Sequence, residues 1–198
     1  GSALFIGAGI TLQKLIDSNE SPEALRKAAK YIASRNIRNM ATLGGNIAAN
    51  RADSYVIPCL IALKAEVETA DEGIMCVEKY IREEKDSLIK SIILPHLDGV
   101  CVVDAVYKSS GSYPSVTTAV MVSKQEVVIV VGCVSKHVVR LKKLEQRVLN
   151  GSLKGTELAA AVEQEVSPTG DLLGSEKYKK YLSGTMVAHS IGLAFEEQ

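Results

Sequence analysis

The sequence predicts an α+β fold, and three observations carry that expectation. Val127-Val128-Ile129-Val130-Val131 is β-branched throughout, which marks a strand. Tyr178–Ala194 places Tyr181, Leu182, Met186, Val187 and Ile191 at helical spacing, and Gly155–Glu165 is amphipathic as well. The strands of the second half precede its helices, the order of a sheet covered on one side by a helical layer.

Taken in order, Leu4–Gly9 is a short apolar strand ending in Gly-Ala-Gly, followed by a helix over Leu12–Asp17 with Leu12, Leu15 and Ile16 on one face. Ser21-Pro22-Glu23 opens the next helix, with Ser21 as N-cap and Pro22 in the first helical position. Leu25, Ala28, Ala29 and Ile32 keep its spacing as far as about Ser34. A glycine turn and a polar loop lead to the buried helix Val56–Leu63. Ala65–Thr69 alternates as a half-exposed strand, Asp71-Glu72-Gly73 turns the chain, and Ile74–Val77 returns. A short charged helix starts at Glu78, and Leu88–Pro95 is a strand closed by proline. Pro95–Gly99 is the best domain boundary, dividing 1–96 from 97–198. Beyond it, Val100–Lys108, Thr117–Ser123 and Gln125–Val134 read as strands, joined by the polar segment Ser109–Ser115. Arg140–Leu149 reads as an amphipathic helix.

Composition narrows the function. Twenty-three basic and twenty-three acidic residues cancel, so no charge excess points to nucleic acid or an anionic membrane. Trp is absent and aromatics are scarce, which argues against a base-stacking surface. No apolar run reaches the ~18 residues of a membrane span. Cys59, Cys76, Cys101 and Cys133 form no C-x-x-C pair, and three of them sit in apolar surroundings. They read as core residues of a reducing, cytoplasmic compartment rather than metal ligands. The three histidines are scattered and suggest no metal site. Gly7-x-Gly9 follows a strand but lacks the third glycine of a dinucleotide loop.

The stretch richest in chemistry is Ala41–Ala49. Gly44 and Gly45 can take φ > 0, and successive N–H groups in such a turn form an anion-binding concavity. Thr42 and Asn46 add a hydroxyl and an amide at its ends. Asp53 follows, either as a hydrogen-bond acceptor for a ligand hydroxyl or as the N-cap of the Val56–Leu63 helix. The alternative for the glycines is a plain tight turn. No catalytic side-chain constellation stands out, which suits a protein whose bound cofactor does the chemistry.

Ile37-Arg38-Asn39-x-x-Thr42-Leu43-Gly44-Gly45-Asn46-Ile47-Ala48 resembles the second flavin-binding motif of the FAD subunit of the xanthine dehydrogenase and carbon monoxide dehydrogenase family, the molybdenum hydroxylases. Leu4–Leu15 resembles that family's "IGA-T-x-x-x-L" segment. Asp171-Leu172-Leu173-Gly174-Ser175-x-x-Tyr178-Lys179-Lys180-x-Leu182 resembles its C-terminal D-x-x-G-S-x-x-Y-R-R-x-L signature. The resemblance implies the second lobe of a two-lobed FAD-binding domain, then a C-terminal domain of a small antiparallel sheet covered by helices. It implies FAD as cofactor, held by Thr42, Leu43, Gly44, Gly45, Asn46, Asp53, Ile89 and Lys108, with Tyr107 able to face the ring. The implied partners are a 2Fe-2S iron–sulfur subunit and a molybdopterin-binding large subunit. In the Asp171–Leu182 signature, Ser175 is expected to cap a helix and Lys179-Lys180 to lie on its exposed side.

The likeness begins after the family's first flavin motif, a glycine-rich A-G-G-T loop. The expectation is therefore a fragment with weakened FAD affinity and exposed apolar surface. Two rivals stand beside it: a scaffold that keeps the fold without FAD, and a stand-alone flavoprotein oxidase. The latter would need a flavin-linking His or Cys near the glycine turn, and none is present.

Overall fold

The computed structural model describes residues 3–32, 34–109 and 112–197. In the first half, β1 (Leu4–Gly7) is followed by five helices: α1 (Leu12–Asp17), α2 (Glu23–Lys30), α3 (Arg35–Met40), α4 (Leu43–Ala48) and α5 (Val56–Ala62). Then come β2 (Glu66–Thr69), β3 (Ile74–Cys76), α6 (Val77–Arg82) and β4 (Ile89–Leu94). The strands make an antiparallel sheet in the order β1-β4-β2-β3, so the first strand of this half pairs with the last strand of the same half, Leu4 opposite Leu94.

The second half holds β5 (Gly99–Tyr107), β6 (Pro114–Ser123), β7 (Val127–Gly132) and β8 (Val139–Arg140), paired in sequence order. α7 (Lys142–Leu149), α8 (Gly155–Glu165) and α9 (Glu176–Glu196) follow. Strands then helices is the order anticipated, but the cover is two-sided. β6 is buried at nine of its ten positions and β7 at all six. A sheet with one wet face would alternate; unbroken burial means that both faces are covered. Val120, Val122, Ile129 and Val131 meet Leu158, Met186, Val187 and Ile191 of the helical layer. Ala119, Met121, Val128 and Val130 point the other way, into one core with Cys59 and Leu60 of α5 and Leu25 of α2. The two sheets thus share an apolar core across the Pro95–Asp98 connection.

Other expectations shift locally. α2 stops at Lys30, and Ser34 instead caps α3 by accepting the Ile37 N–H at 3.4 Å. Pro22, not Ser21, takes the cap position of α2, because its ring supplies an extended entry without a side-chain bond. Arg140 lies in β8, held by a bidentate pair with the buried Glu145, so the helix starts two residues later than its pattern suggests. On α9, Tyr181 is exposed while Ser183, Gly184 and Ser190 are buried. The helix packs α8 through small residues: a Cβ on Gly184 would lie 2.5 Å from the Ala159 carbonyl oxygen. Of the four cysteines only Cys59 is fully buried, and Cys76 is exposed. Ser110 and Gly111, in the polar segment between β5 and β6, lie outside the described residues.

Candidate functional site

Residues 41–48 are fixed by the strand they follow back upon. Leu12 N–H bonds the Ala41 carbonyl at 2.9 Å, and Leu43 N–H bonds that of Ile10 at 3.0 Å. Gly44 N–H reaches the Ala8 carbonyl at 2.9 Å, while Ala8 N–H bonds the Lys90 carbonyl on β4. Thr42 is the N-cap of α4, its hydroxyl accepting from Gly45 N–H at 3.1 Å. Asn46 N–H completes the first turn on the Thr42 carbonyl.

This corrects the expected concavity. Neither Gly44 nor Gly45 has positive φ, and the N–H groups of residues 43–46 all have partners within the chain. The glycines serve close approach. Gly44 is buried, and a Cβ there would stand 2.6 Å from the Cβ of Ala8 and 3.1 Å from its carbonyl oxygen. Gly45 is exposed, and a Cβ there would stand 2.9 Å from Thr42 Oγ1, closing over the hydroxyl. Gly7 and Gly9 flank Ala8 and are exposed, as are Gly45 and Ala48, so small residues dominate the exposed positions on this turn and on the segment that Gly44 packs against.

Ser54 sets the far end. Its hydroxyl accepts from Val56 N–H at 3.2 Å and Ile57 N–H at 3.1 Å, which occupies both lone pairs. Its hydrogen must therefore be donated, and it goes to Asn46 Oδ1 at 2.8 Å. That fixes the Asn46 amide and turns its Nδ2 donor away from Ser54. Ser54, not Asp53, caps α5. Asp53 takes a bidentate pair from Arg51 at 2.8 and 2.7 Å, and the Arg51 guanidinium lies 5.4 Å from the Tyr113 ring centre.

The loop 50–55 is also tied to the second sheet. Cys133 N–H bonds the Ala52 carbonyl at 2.9 Å, and the Thr117 hydroxyl bonds that of Ser54 at 3.4 Å. Tyr55 stacks on Tyr31 with ring centres 5.6 Å apart, and Tyr107 meets Tyr31 edge-on at 6.4 Å. Burial, then Tyr107, pushes the Tyr55 phenol up to about 12. Burial, then the Asp104 carboxylate, drives Tyr31 higher still, and the Tyr31 hydroxyl donates to the Val103 carbonyl.

The structure thus joins Thr42–Asn46 to the 50–55 loop through Asn46 and Ser54, and Tyr55 of that loop to the end of β5 through Tyr31 and Tyr107. Lys108 follows Tyr107 there, exposed and without an ion pair among the described residues. Ile89 lies behind the surface, in the core with Leu43 and Ile47, and is 8% exposed. Tyr31 and Tyr55 were not singled out from sequence, since no spacing rule links them. Lys179 is a further correction. Its side chain is 4% exposed, not solvated, and its ammonium donates to Asp171 at 2.6 Å and to the Cys133 carbonyl at 3.4 Å. Ser175 caps α9 as expected. An open cavity of about 400 Å³ separates this pair from the Asn50–Asp53 loop.

The residues present suit a flavin nucleotide in their chemistry: a position that a Cβ at Gly45 would crowd, the Thr42 hydroxyl next to it, and the Asn46 amide held by Ser54 through its oxygen alone. Comparison with known proteins agrees. Residues 1–97 match the family described as the FAD binding domain in molybdopterin dehydrogenase, and the chain belongs to that family. It is 34% identical over 187 residues to the uncharacterized protein YgfM of Escherichia coli (strain K12), covering 94% of this chain and 71% of that one. Its fold matches quinoline 2-oxidoreductase from Pseudomonas putida 86, at TM-score 0.87 and 18% identity over all of this chain and 76% of the other. It also matches CO dehydrogenase from Oligotropha carboxidovorans, at TM-score 0.87 and 22% identity over all of this chain and 77% of the other.

Proposed function

We propose that the chain carries FAD in a molybdenum-hydroxylase-type oxidoreductase. In this reading 1–96 is the flavin lobe and 97–198 a domain that closes over it. Thr42, Leu43, Gly44, Gly45 and Asn46 form the floor and edge of the site. Asp53 lies at its rim, Ile89 backs it from the core, and Lys108 brings a cation from the second sheet. The observation that carries the reading is the Asn46–Ser54 pair, which presents an oriented amide donor beside a floor kept bare by Gly45. FAD, when bound, supplies redox chemistry able to link one-electron iron–sulfur clusters to a two-electron acceptor such as NAD. A 2Fe-2S subunit and a molybdopterin-binding large subunit would be its neighbours, with substrate oxidation belonging to the latter. The chain's own residues bind and orient. The Thr42 hydroxyl and Asn46 amide donate hydrogen bonds, and the Lys108 ammonium favours negative charge on a nearby ring.

A second reading, a scaffold that keeps the fold without FAD, is favoured by one feature: the α4 amides are already bonded and Asp53 is already paired with Arg51. Titration of the chain with FAD, followed by flavin fluorescence, separates the two. Saturable binding that Asn46→Leu weakens at least tenfold supports the flavin site. No binding by the wild-type chain, or equal binding by the variant, overturns it.

A further inference from the structure

β5 is nine residues long and forms one edge of the second sheet, paired only with β6. Along an antiparallel strand the N–H and C=O of one residue point together to one side, and those of the next residue to the other. Two contacts fix which residues of β5 face outward. The Val103 carbonyl accepts from the Tyr31 hydroxyl at 3.3 Å, and the Ala105 N–H donates to the Asp104 carboxylate at 2.8 Å. Both groups belong to odd-numbered residues, so these turn their backbone to the free edge while the even-numbered ones pair with β6. The same two contacts blunt the edge toward Tyr107. Toward Gly99 it stays open: the N–H and C=O of Gly99 and Cys101, and the N–H of Val103, have no partner among the described residues. A cleft of about 540 Å³ touches every residue of Gly99–Val103. Successive side chains of a strand face opposite ways, so such a cleft follows the edge itself. Leu97, Met121 and Leu193 give it apolar walls, and Glu20, Glu23 and Lys27 at the start of α2 meet Glu197 of α9 in its lining. The three glutamates are exposed and carry no ion pair among the described residues, whereas His96, the other basic group there, is matched by Asp98 at 3.1 Å. The cleft is therefore acidic.

We propose that this cleft binds an extended, lysine- or arginine-bearing segment of another protein, which joins the second sheet as a further strand on the free edge of β5. Its main chain takes the open groups of Gly99, Cys101 and Val103, a stretch of about 13 Å at the usual strand rise. Its side chains alternate in direction, so apolar ones can meet Leu97, Met121 or Leu193 while basic ones reach Glu20, Glu23 or Glu197. Charge decides against a second copy of this chain in the same place. Two such edges brought together would set Glu20, Glu23 and Glu197 of one copy against the same residues of the other, and like-charge juxtaposition opposes docking. A long open edge is also a liability that folds cover or blunt. Here Tyr31 and Asp104 close one end and leave the other to a guest.

The probe is a short fluorescent peptide of alternating lysine and valine, titrated with the whole chain and followed by anisotropy. Saturable binding is expected, weaker as salt rises. Glu20→Lys combined with Glu23→Lys, two exposed changes that leave the core untouched, should weaken it at least tenfold. Cys101→Pro removes an outward N–H from an edge strand, where proline is tolerated, and should weaken it as much. Methylating the peptide's own backbone nitrogens tests the same main-chain bonds without altering the protein, and should also cost at least tenfold. Amide hydrogen exchange locates the guest: the N–H groups of Gly99, Cys101 and Val103 should slow at least tenfold on binding, and those of Val100 and Val102 should change least. No saturable binding, equal binding of a peptide with glutamate in place of lysine, or undiminished binding of the methylated peptide would each overturn the proposal. So would protection confined to amides outside β5, or a dimer of the chain that the peptide cannot dissociate.

Discussion

Gly44→Ala tests the account of the glycine turn most directly, because it pits a helix preference against a steric limit. In an unconstrained helix the change would stabilise by about 1 kcal/mol. Here the new Cβ would stand 2.6 Å from Ala8 Cβ, 3.2 Å from its Cα and 3.1 Å from its oxygen. Carbon atoms settle at about 3.5–4.0 Å, so roughly 1 Å of movement is required. All three atoms belong to one residue, and two of them are backbone, so no side-chain rotation relieves the contact. Separation is opposed by the Gly44 N–H bond to that same Ala8 carbonyl, 2.9 Å long and leading into the β1–β4 pairing. Overpacking costs about 1–3 kcal/mol and a weakened buried hydrogen bond about 1 more. Set against the propensity gain, the net loss is about 2 kcal/mol, which for a chain of this size lowers Tm by about 4–8 °C.

Thermal and urea unfolding of three variants would check this. Gly192→Ala, on the exposed side of α9 with no atom within 4 Å of the new Cβ, is expected to hold or raise stability by up to ~1 kcal/mol. Ala8→Gly combined with Gly44→Ala removes the closest contact and should recover about half of the loss, a coupling of about 1 kcal/mol. Gly44→Ala as stable as the wild type, or no recovery in the double variant, would refute the steric argument.

Three further outcomes are expected. Ser54→Ala removes the cap of α5 and the anchor of Asn46 together, so the urea midpoint should fall by the equivalent of about 1–2 kcal/mol with an unchanged slope. Burial pushes the Asp171 carboxyl up, but Lys179 and the amides of Leu173 and Gly174 outweigh it, and the folded pKa lies below the usual value. The stability gap between wild type and Asp171→Asn should therefore be full at neutral pH and close as acid passes below about 4; a gap that is constant from pH 7 to pH 3 contradicts this. Tyr55 is raised to about 12, so the neutral phenol is the form the fold favours. Its contribution is complete below about 10 and lost as pH rises through 12, and Tyr55→Phe should remove amplitude from the late part of a tyrosinate absorbance titration, not the early part.

Local pattern was enough for much of the fold. Residues 12–17 and 155–165 form the helices their spacing announces, with the same bounds, and the Val127–Val131 run is a central strand. The expectation of one-sided cover failed on this same run, because five β-branched residues without alternation leave no wet face. What local pattern could not show depends on distant partners. Tyr-Lys-Lys at 178–180 reads as a solvated helix face. Lys179 is buried because Asp171 folds back through its bridge to Gly174 and meets the ammonium from outside the helix. Two adjacent glycines before a polar loop read as a positive-φ turn, yet their backbone is helical, and the need for glycine comes from Ala8, thirty-odd residues earlier. The tyrosine cluster draws on three separate segments, of which only Tyr107 invited attention by its position.

The 50–55 loop shows why the candidate site depends on both halves of the chain. Covalently it continues α4, and Asn46 holds it there through Ser54. By hydrogen bonds it belongs equally to the second sheet, which takes the Ala52 and Ser54 carbonyls through Cys133 N–H and Thr117 Oγ1. Gly132 makes that approach possible: a Cβ there would lie 2.2 Å from Thr117 Oγ1 and 3.0 Å from the Ala52 oxygen. The loop's backbone is therefore clamped from both sides, and the exposed Arg51 and half-buried Asp53 side chains ride on that clamp. A rim built in this way moves only if α4 and β7 part. The apolar core that runs without a break from Leu60 to Val130 opposes such parting. Rigidity at Asp53 is thus a property of the packing between the two sheets and not of the loop's own sequence, which contains nothing stiffer than Ala52.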